Sequence, residues 1–211
     1  MRKMFNRGHA MKAAGLALGL ALAMTFAGAT RADAPHPVKL RGTILSLQGG
    51  VMSARGQDGA VIKIKIAPQT RLAAIVPASL AGIKPGSFVG ITSMPGDGSE
   101  RVALEVHIFP EALRGTGEGD RPWDKGPGSR MTNATVASVA GVHGEDLTLT
   151  YRGGQSKIKV TPRTRIVTFL PGDPHDFKAG NHFIAFAIPD GRGAYVPLSL
   201  SIGRAGLTPP M

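Results

Sequence analysis

Apolar and charged residues alternate one by one along Val61-Ile-Lys-Ile-Lys-Ile66, which predicts a half-buried strand with Ile62, Ile64 and Ile66 on one face. The pattern returns at Gln155-Ser-Lys-Ile-Lys-Val160, 94 residues on, with Ile158 and Val160 on the apolar face. Val102, Leu104, Val106 and Ile108 alternate with Ala103, Glu105 and His107, and their counterparts are Val196, Leu198, Leu200 and Ile202. Leu147, Leu149 and Tyr151 alternate with Thr148 and Thr150. Between these runs stand Gln48-Gly-Gly50, Gln57-Asp-Gly59, Pro95-Gly-Asp-Gly98 and Arg152-Gly-Gly154, turn signals in which glycine accepts a positive φ.

The correspondence extends beyond single strands. Ile83-Lys-Pro-Gly86 aligns with Phe177-Lys-Ala-Gly180 at the offset of 94, and Thr43-Ile-Leu-Ser-Leu47 with Thr135-Val-Ala-Ser-Val139 at 92. The chain therefore reads as all-β, two tandem units with the same order of strands and turns. Five or six short strands per unit suit a small closed barrel, because closure removes the edges an open sheet of this size leaves exposed. An OB-type barrel and an SH3-like barrel both satisfy the pattern. The boundaries expected are a signal peptide over 1–34, a first barrel over 35–108, a connector over 109–131, a second barrel over 132–204 and a tail over 205–211.

Gly42-Thr-Ile44, the Ile-Lys-Ile strand followed by Thr70-Arg71, Lys84-Pro-Gly-x-x-Val89 and Pro95-Gly-Asp-Gly98 together resemble the bacterial exported domain-of-unknown-function family 5666. The resemblance implies a small OB-like barrel over 38–108 and, more loosely, over 132–204. His182 stands where that pattern has an apolar residue, and Pro197 interrupts the last strand. With His107-Ile-Phe-Pro-Glu-Ala-Leu-Arg-Gly-Thr-Gly-Glu-Gly119 and Pro122-Trp-Asp124 included, the whole chain also looks like alphaproteobacterial proteins called metal ABC transporter permeases. One cleaved segment without membrane spans does not make a permease, so the sequence does not support that function.

Arg2, Lys3, Arg7 and Lys12 precede an apolar run from Ala13 to Ala29, and small-x-small sites end at Ala29 and Ala34. This is the pattern of a cleaved secretory signal, which places the protein in the periplasm. No later stretch approaches the ~20 apolar residues of a membrane-spanning helix. The formal charge of the whole chain is +11, and without residues 1–34 it has 20 Lys and Arg against 13 Asp and Glu. That excess serves solubility first and also suits an anionic partner. The absence of cysteine excludes thiol catalysis and thiolate metal sites, and leaves the fold to burial alone. Aromatic residues make up only 5%, too few for a base-stacking platform, so no nucleic acid is expected.

Residues 109–131 have no counterpart in the second unit and hold the only tryptophan, Trp123. Glu111, Arg114, Glu118, Asp120, Arg121 and Asp124 surround it with charges of both signs. A disordered spacer avoids such a residue, so the segment is expected to be ordered with Trp123 substantially buried. The segment reads first as a connector that fixes the relative orientation of the two units, and second as a binding surface for which these seven residues are the candidates. For metal, only Asp173-Pro-His175-Asp176 groups ligands locally among His36, His107, His143, His175 and His182, and its spacing matches no metal motif. Gly115-Thr-Gly-Glu-Gly119 lacks the lysine and helix of a phosphate loop. The sequence thus points to a non-enzymatic exported binding or scaffolding protein of the bacterial envelope, with no cofactor. Its expected partner is an envelope protein or an anionic envelope component. A periplasmic metal-binding accessory and a hydrolase using the connector carboxylates are the alternatives.

Overall fold

The structure, a computed structural model, describes residues 36–141 and 145–210. The expected signal peptide and His143 lie outside them. Thirteen strands are formed among the described residues: β1 Val38–Gln48, β2 Val51–Gly56, β3 Val61–Lys65, β4 Arg71–Pro77, β5 Phe88–Pro95, β6 Arg101–Ile108, β7 Gly119–Pro122, β8 Arg130–Ala140, β9 Asp146–Tyr151, β10 Gly154–Lys159, β11 Arg165–Pro171, β12 His182–Pro189 and β13 Tyr195–Gly203. The chain is all-β, with single 3-10 turns between some strands. No helix among the described residues is long and apolar enough to cross a membrane.

The strands close into two five-stranded barrels, and neither barrel is built from one sequence unit. In the N-barrel, β1, β2 and β3 form an antiparallel meander, β12 pairs with β1, β13 pairs with β12, and one bridge between Tyr195 and Ile64 closes the ring in parallel. In the C-barrel, β8, β9 and β10 form the meander, β5 pairs with β8, and β6 closes on β10 in parallel. A three-strand meander whose third strand runs parallel to the fifth is the OB-type order. The boundaries expected at 35–108 and 132–204 therefore enclose sequence units but not barrels. Each unit gives its first three strands to one barrel and its last two to the other. The tract between the barrels is also shorter than expected and contains a strand, since β8 begins at Arg130 and β7 pairs with it.

The crossing is made by β4 and β11. These two strands pair antiparallel, with Ile75 opposite Phe169, positions 94 apart. β6 runs parallel to β11 as β13 runs parallel to β4, placing Glu105 beside Arg165 and Ser199 beside Arg71. Three cores result. Val89, Ile91, Val106, Leu147, Leu149 and Ile158 fill the C-barrel, and Ile44, Met52, Ile64, Phe183, Leu200 and Ile202 fill the N-barrel. Ile75, Val167, Phe169 and Ile184 pack at the junction.

Strict alternation fails at two pairs of corresponding places, one of them at Leu45 of β1 and Ala137 of β8. In the other, β6 slips against β5 between Thr92 and Ser93, and β13 slips against β12 between Phe186 and Ala187. Each of these two bulges skips one residue, Leu104 or Leu198, and turns it outward instead of into the core. The second bulge also accommodates Pro197, which has no amide to give to a ladder.

A hydrogen-bonded turn ties β12–β13 to β3. Asp190 accepts from Lys65 Nζ at 2.5 Å and from the amides of Arg192 and Ala194 at 2.8 and 2.9 Å. The Lys65 ammonium first, then those amides, hold its carboxyl down at about 2. Because the folded value is depressed, this contribution to stability is present above the ordinary carboxylate range and is lost as pH falls through about 2. Asp190→Asn should melt below the wild type at neutral pH, and the gap should close on acidification over that window. A gap constant down to pH ~2 counts against the linkage.

Candidate functional site

The connector leaves β6 through Phe109, whose ring stacks on Phe169 at 5.4 Å and meets Phe88 at 5.5 Å. Gly90 lies beneath it, and a Cβ there would stand 2.9 Å from the Phe109 ring and 2.8 Å from Asn133 Oδ1. Asn133 Nδ2 donates to the Thr116 carbonyl at 2.8 Å, and β7 then adds itself to the outer edge of β8. Past β7 the chain turns back through hydrogen bonds between Trp123 and Ser129. The connector is ordered by these contacts, as the tryptophan predicted.

The seven candidate residues separate into three places. Glu111 and Arg114 pair with each other on the surface, and Arg114 also donates to the Gly86 carbonyl at 2.8 Å. Glu118 accepts from the Arg152 amide at 2.9 Å, while Asp120 binds Arg130 Nε and the Thr132 hydroxyl. Only Arg121, Trp123 and Asp124 come together, and they do so on β1. Lys39 Nζ lies 3.8 Å from the centre of the Trp123 ring, with the Arg121 guanidinium at 5.5 Å. Asp124 pairs with Lys39 at 2.7 Å and Arg41 at 3.3 Å. Glu111, Asp120 and Asp124 are thus held by different cations and Glu118 by a backbone amide.

Trp123 is half-buried, with its rim open and its indole nitrogen inaccessible. Two cations lie on its ring where a core aromatic would have apolar neighbours. Trp123→Ala should accordingly cost about 2 kcal/mol, roughly half the loss of a fully buried aromatic, counting the cation–π contact. Thermal melting checks this, and a loss of ~4 kcal/mol or more would show the ring to be a core residue.

The patch is rich in positive charge. Burial lowers the Lys39 ammonium, and neighbouring Arg41 adds to that against the pull of Asp124. Lys125 is lowered first by burial and then by Arg41. Burial pushes the Asp124 carboxyl up, but Lys39 and Arg41 outweigh it and hold it below its usual range. One carboxylate is therefore shared among several cations. Arg41 spends only Nη1 on it, and its Nε and Nη2 are buried with no hydrogen-bond partner among the described residues.

Beside Arg41 opens a cleft of about 260 Å³ lined by Thr43, Arg55, His182 and Thr208, among others, with no acidic residue in its wall among the described residues. Gly42 lets β1 and β2 close its floor, since a Cβ there would stand 2.0 Å from the Arg55 carbonyl oxygen. His182 Nδ1 is held by the Thr43 hydroxyl at 3.1 Å, which orients the ring across the β1–β12 pair. The corresponding place in the C-barrel has Asn133 for Arg41 and Phe88 for His182, and there Thr116 and Phe109 of the connector cover both. Lys39, Arg41 and Arg55 carried no signal in the sequence. The substitution of His182 for an apolar residue was the one visible sign of this site.

The remaining candidates sit in local structure. Asp173 and Asp176 cap a 3-10 turn, and Arg204 grips Asp176 with two hydrogen bonds. His107 is buried against Glu105 and Phe169. Among the described residues no three His, Asp or Glu side chains gather to hold a metal ion. No family model, curated protein or solved structure matches the chain.

Proposed function

We propose that this is a non-enzymatic exported binding protein of the bacterial envelope, an internal repeat with exchanged strands, which holds an anionic group of its partner between Arg41, Arg55 and His182. The observation that carries this reading is Arg41, whose Nε and Nη2 are buried beside a cleft with no carboxylate in its wall. A buried donor without an acceptor is costly, and a carboxylate or phosphate oxygen relieves it with a charge-assisted bond. The cleft is smaller than a typical drug-sized pocket, which suits one acidic group rather than a whole metabolite. The basic charge of the chain favours the same class of partner.

Trp123 is the only tryptophan and touches Lys39 next to Arg41, so its emission reports occupancy. Titration with a short oligo-glutamate should change that emission, and the change should weaken as salt rises. Arg55→Gln, at an exposed position, and the pair Arg41→Gln/Arg55→Gln should weaken binding by about tenfold or more, the equivalent of one charged hydrogen bond. Equal binding by the folded double variant, or no response to oligo-glutamate, inorganic phosphate or anionic vesicles, removes the reading.

A further inference from the structure

β1 is paired on both sides along only part of its length. β12 pairs with Val38–Thr43, while β2 pairs with Gly42–Gln48. Along Val38–Arg41 the edge away from β12 has no strand partner among the described residues. The corresponding stretch of β8, Arg130–Asn133, lies between β5 on one side and β7 on the other. The chain therefore contains both a filled and an open form of one strand edge. The segments leading there begin alike, since β6 is followed by a 3-10 turn at Glu111–Leu113 and β13 by one at Arg204–Gly206. Connector residue Thr116 then reaches Asn133, and Thr208 and Pro209 reach the cleft beside Arg41. Beyond Thr116 the connector supplies β7, and the N-barrel has no such strand among the described residues.

The side chains of the open edge specify what fits. Lys39 and Arg41 stand on the outer face, where Asp124 already engages their side chains without bonding the β1 backbone. Leu40 alternates with them and packs against the N-barrel core, with Val38 at the exposed end of the same face. A strand laid on this edge therefore needs acidic residues on the Lys39–Arg41 face and apolar residues on the Val38–Leu40 face. Unpaired backbone groups along a strand edge are satisfied by another extended chain and not by a lipid headgroup or a free anion.

We infer that Val38–Arg41 captures an extended segment of a partner protein by strand addition, with acidic and apolar residues alternating, so that one acidic side chain enters the cleft beside Arg41. This rests on the reading of that cleft as an anion site. The strand supplies position, as β7 does on β8, and the cleft supplies the charge preference.

The test uses the full mature chain and five probes: the capped peptide Glu-Val-Glu-Val-Glu-Val, its two forms N-methylated at alternate residues in either frame, oligo-glutamate, and phosphatidylglycerol vesicles. Trp123 emission gives affinity, and amide hydrogen exchange over Val38–Arg41 gives the pairing. The unmodified peptide should bind and slow exchange along this stretch. N-methylation in the frame that faces β1 should weaken binding at least tenfold, and the opposite frame should not. If both frames bind like the parent, or exchange is unchanged, strand addition fails while the anion cleft stands. If vesicles or oligo-glutamate bind and the alternating peptide does not, strand addition also fails. If none of the probes binds, both readings fall together.

Discussion

A protease site inserted between Gly126 and Pro127, once cut, should yield two fragments that elute together as one species of native size and part only in denaturant. The insertion point lies in an exposed turn after β7, so cleavage leaves every strand whole. Among the described residues eight of the fourteen strand pairings join the two fragments, and these include both pairings that close a barrel in parallel. The C-barrel core mixes Ile83, Val89, Ile91 and Val106 from one fragment with Val136, Leu147, Leu149 and Ile158 from the other. Separation would strip both barrels to three-strand meanders and expose those faces to water. Isolated meanders and hairpins of this size are marginal, so the fragments have no independent folded state to fall back on. Size-exclusion chromatography of the nicked protein decides the matter. Two peaks, each retaining native circular dichroism, would mean that the barrels close within their own sequence units.

The exchange of strands was not legible in the sequence, and the reason is physical. β5–β6 and β12–β13 carry the same alternation, the same bulge and the same turn, so either hairpin satisfies the edge of β8 or of β1 equally well by pattern. Register within a strand is written locally, but the choice between equivalent edges is made by the path of β4 and β11, which lead the chain across the junction. Such equivalence is what permits identical elements to be swapped. The strands themselves were legible, because one face of each is buried and period-two alternation records that directly. Leu104 and Leu198 broke the pattern because a bulge leaves no mark in hydropathy. Trp123 announced an ordered connector, but its seat on Lys39 and the hold of Asp124 on Arg41 join residues 83 apart in the second case. No local spacing encodes that contact.

Glu105→Ser should destabilise the protein by about 3 kcal/mol, the cost of breaking a buried polar pair by removing one member. Glu105 and His107 follow each other on the outer face of β6, both nearly inaccessible, and His107 Nε2 bonds the Glu105 carboxyl. His107 Nδ1 is already buried without a partner, so loss of Glu105 leaves the imidazole with none at all. In a protein of this size that loss lowers the melting temperature by roughly 6–12 °C. The opposite strand of the junction shows how the pair can be dispensed with. β13 carries Ser199 and Ser201 at the corresponding positions, beside Arg71 and Ala73 of β4. Removing both members, as Glu105→Ser/His107→Ser, eliminates the stranded imidazole and leaves mainly the lost contact with Phe169, 5.4 Å from the ring of His107. The double variant should therefore be more stable than the sum of the single losses implies, by a coupling of about 2 kcal/mol. Chemical denaturation of the three variants measures that coupling. Additive losses, or a Glu105→Ser variant within ~0.5 kcal/mol of wild type, would show that the pair is not what holds β6 at the junction.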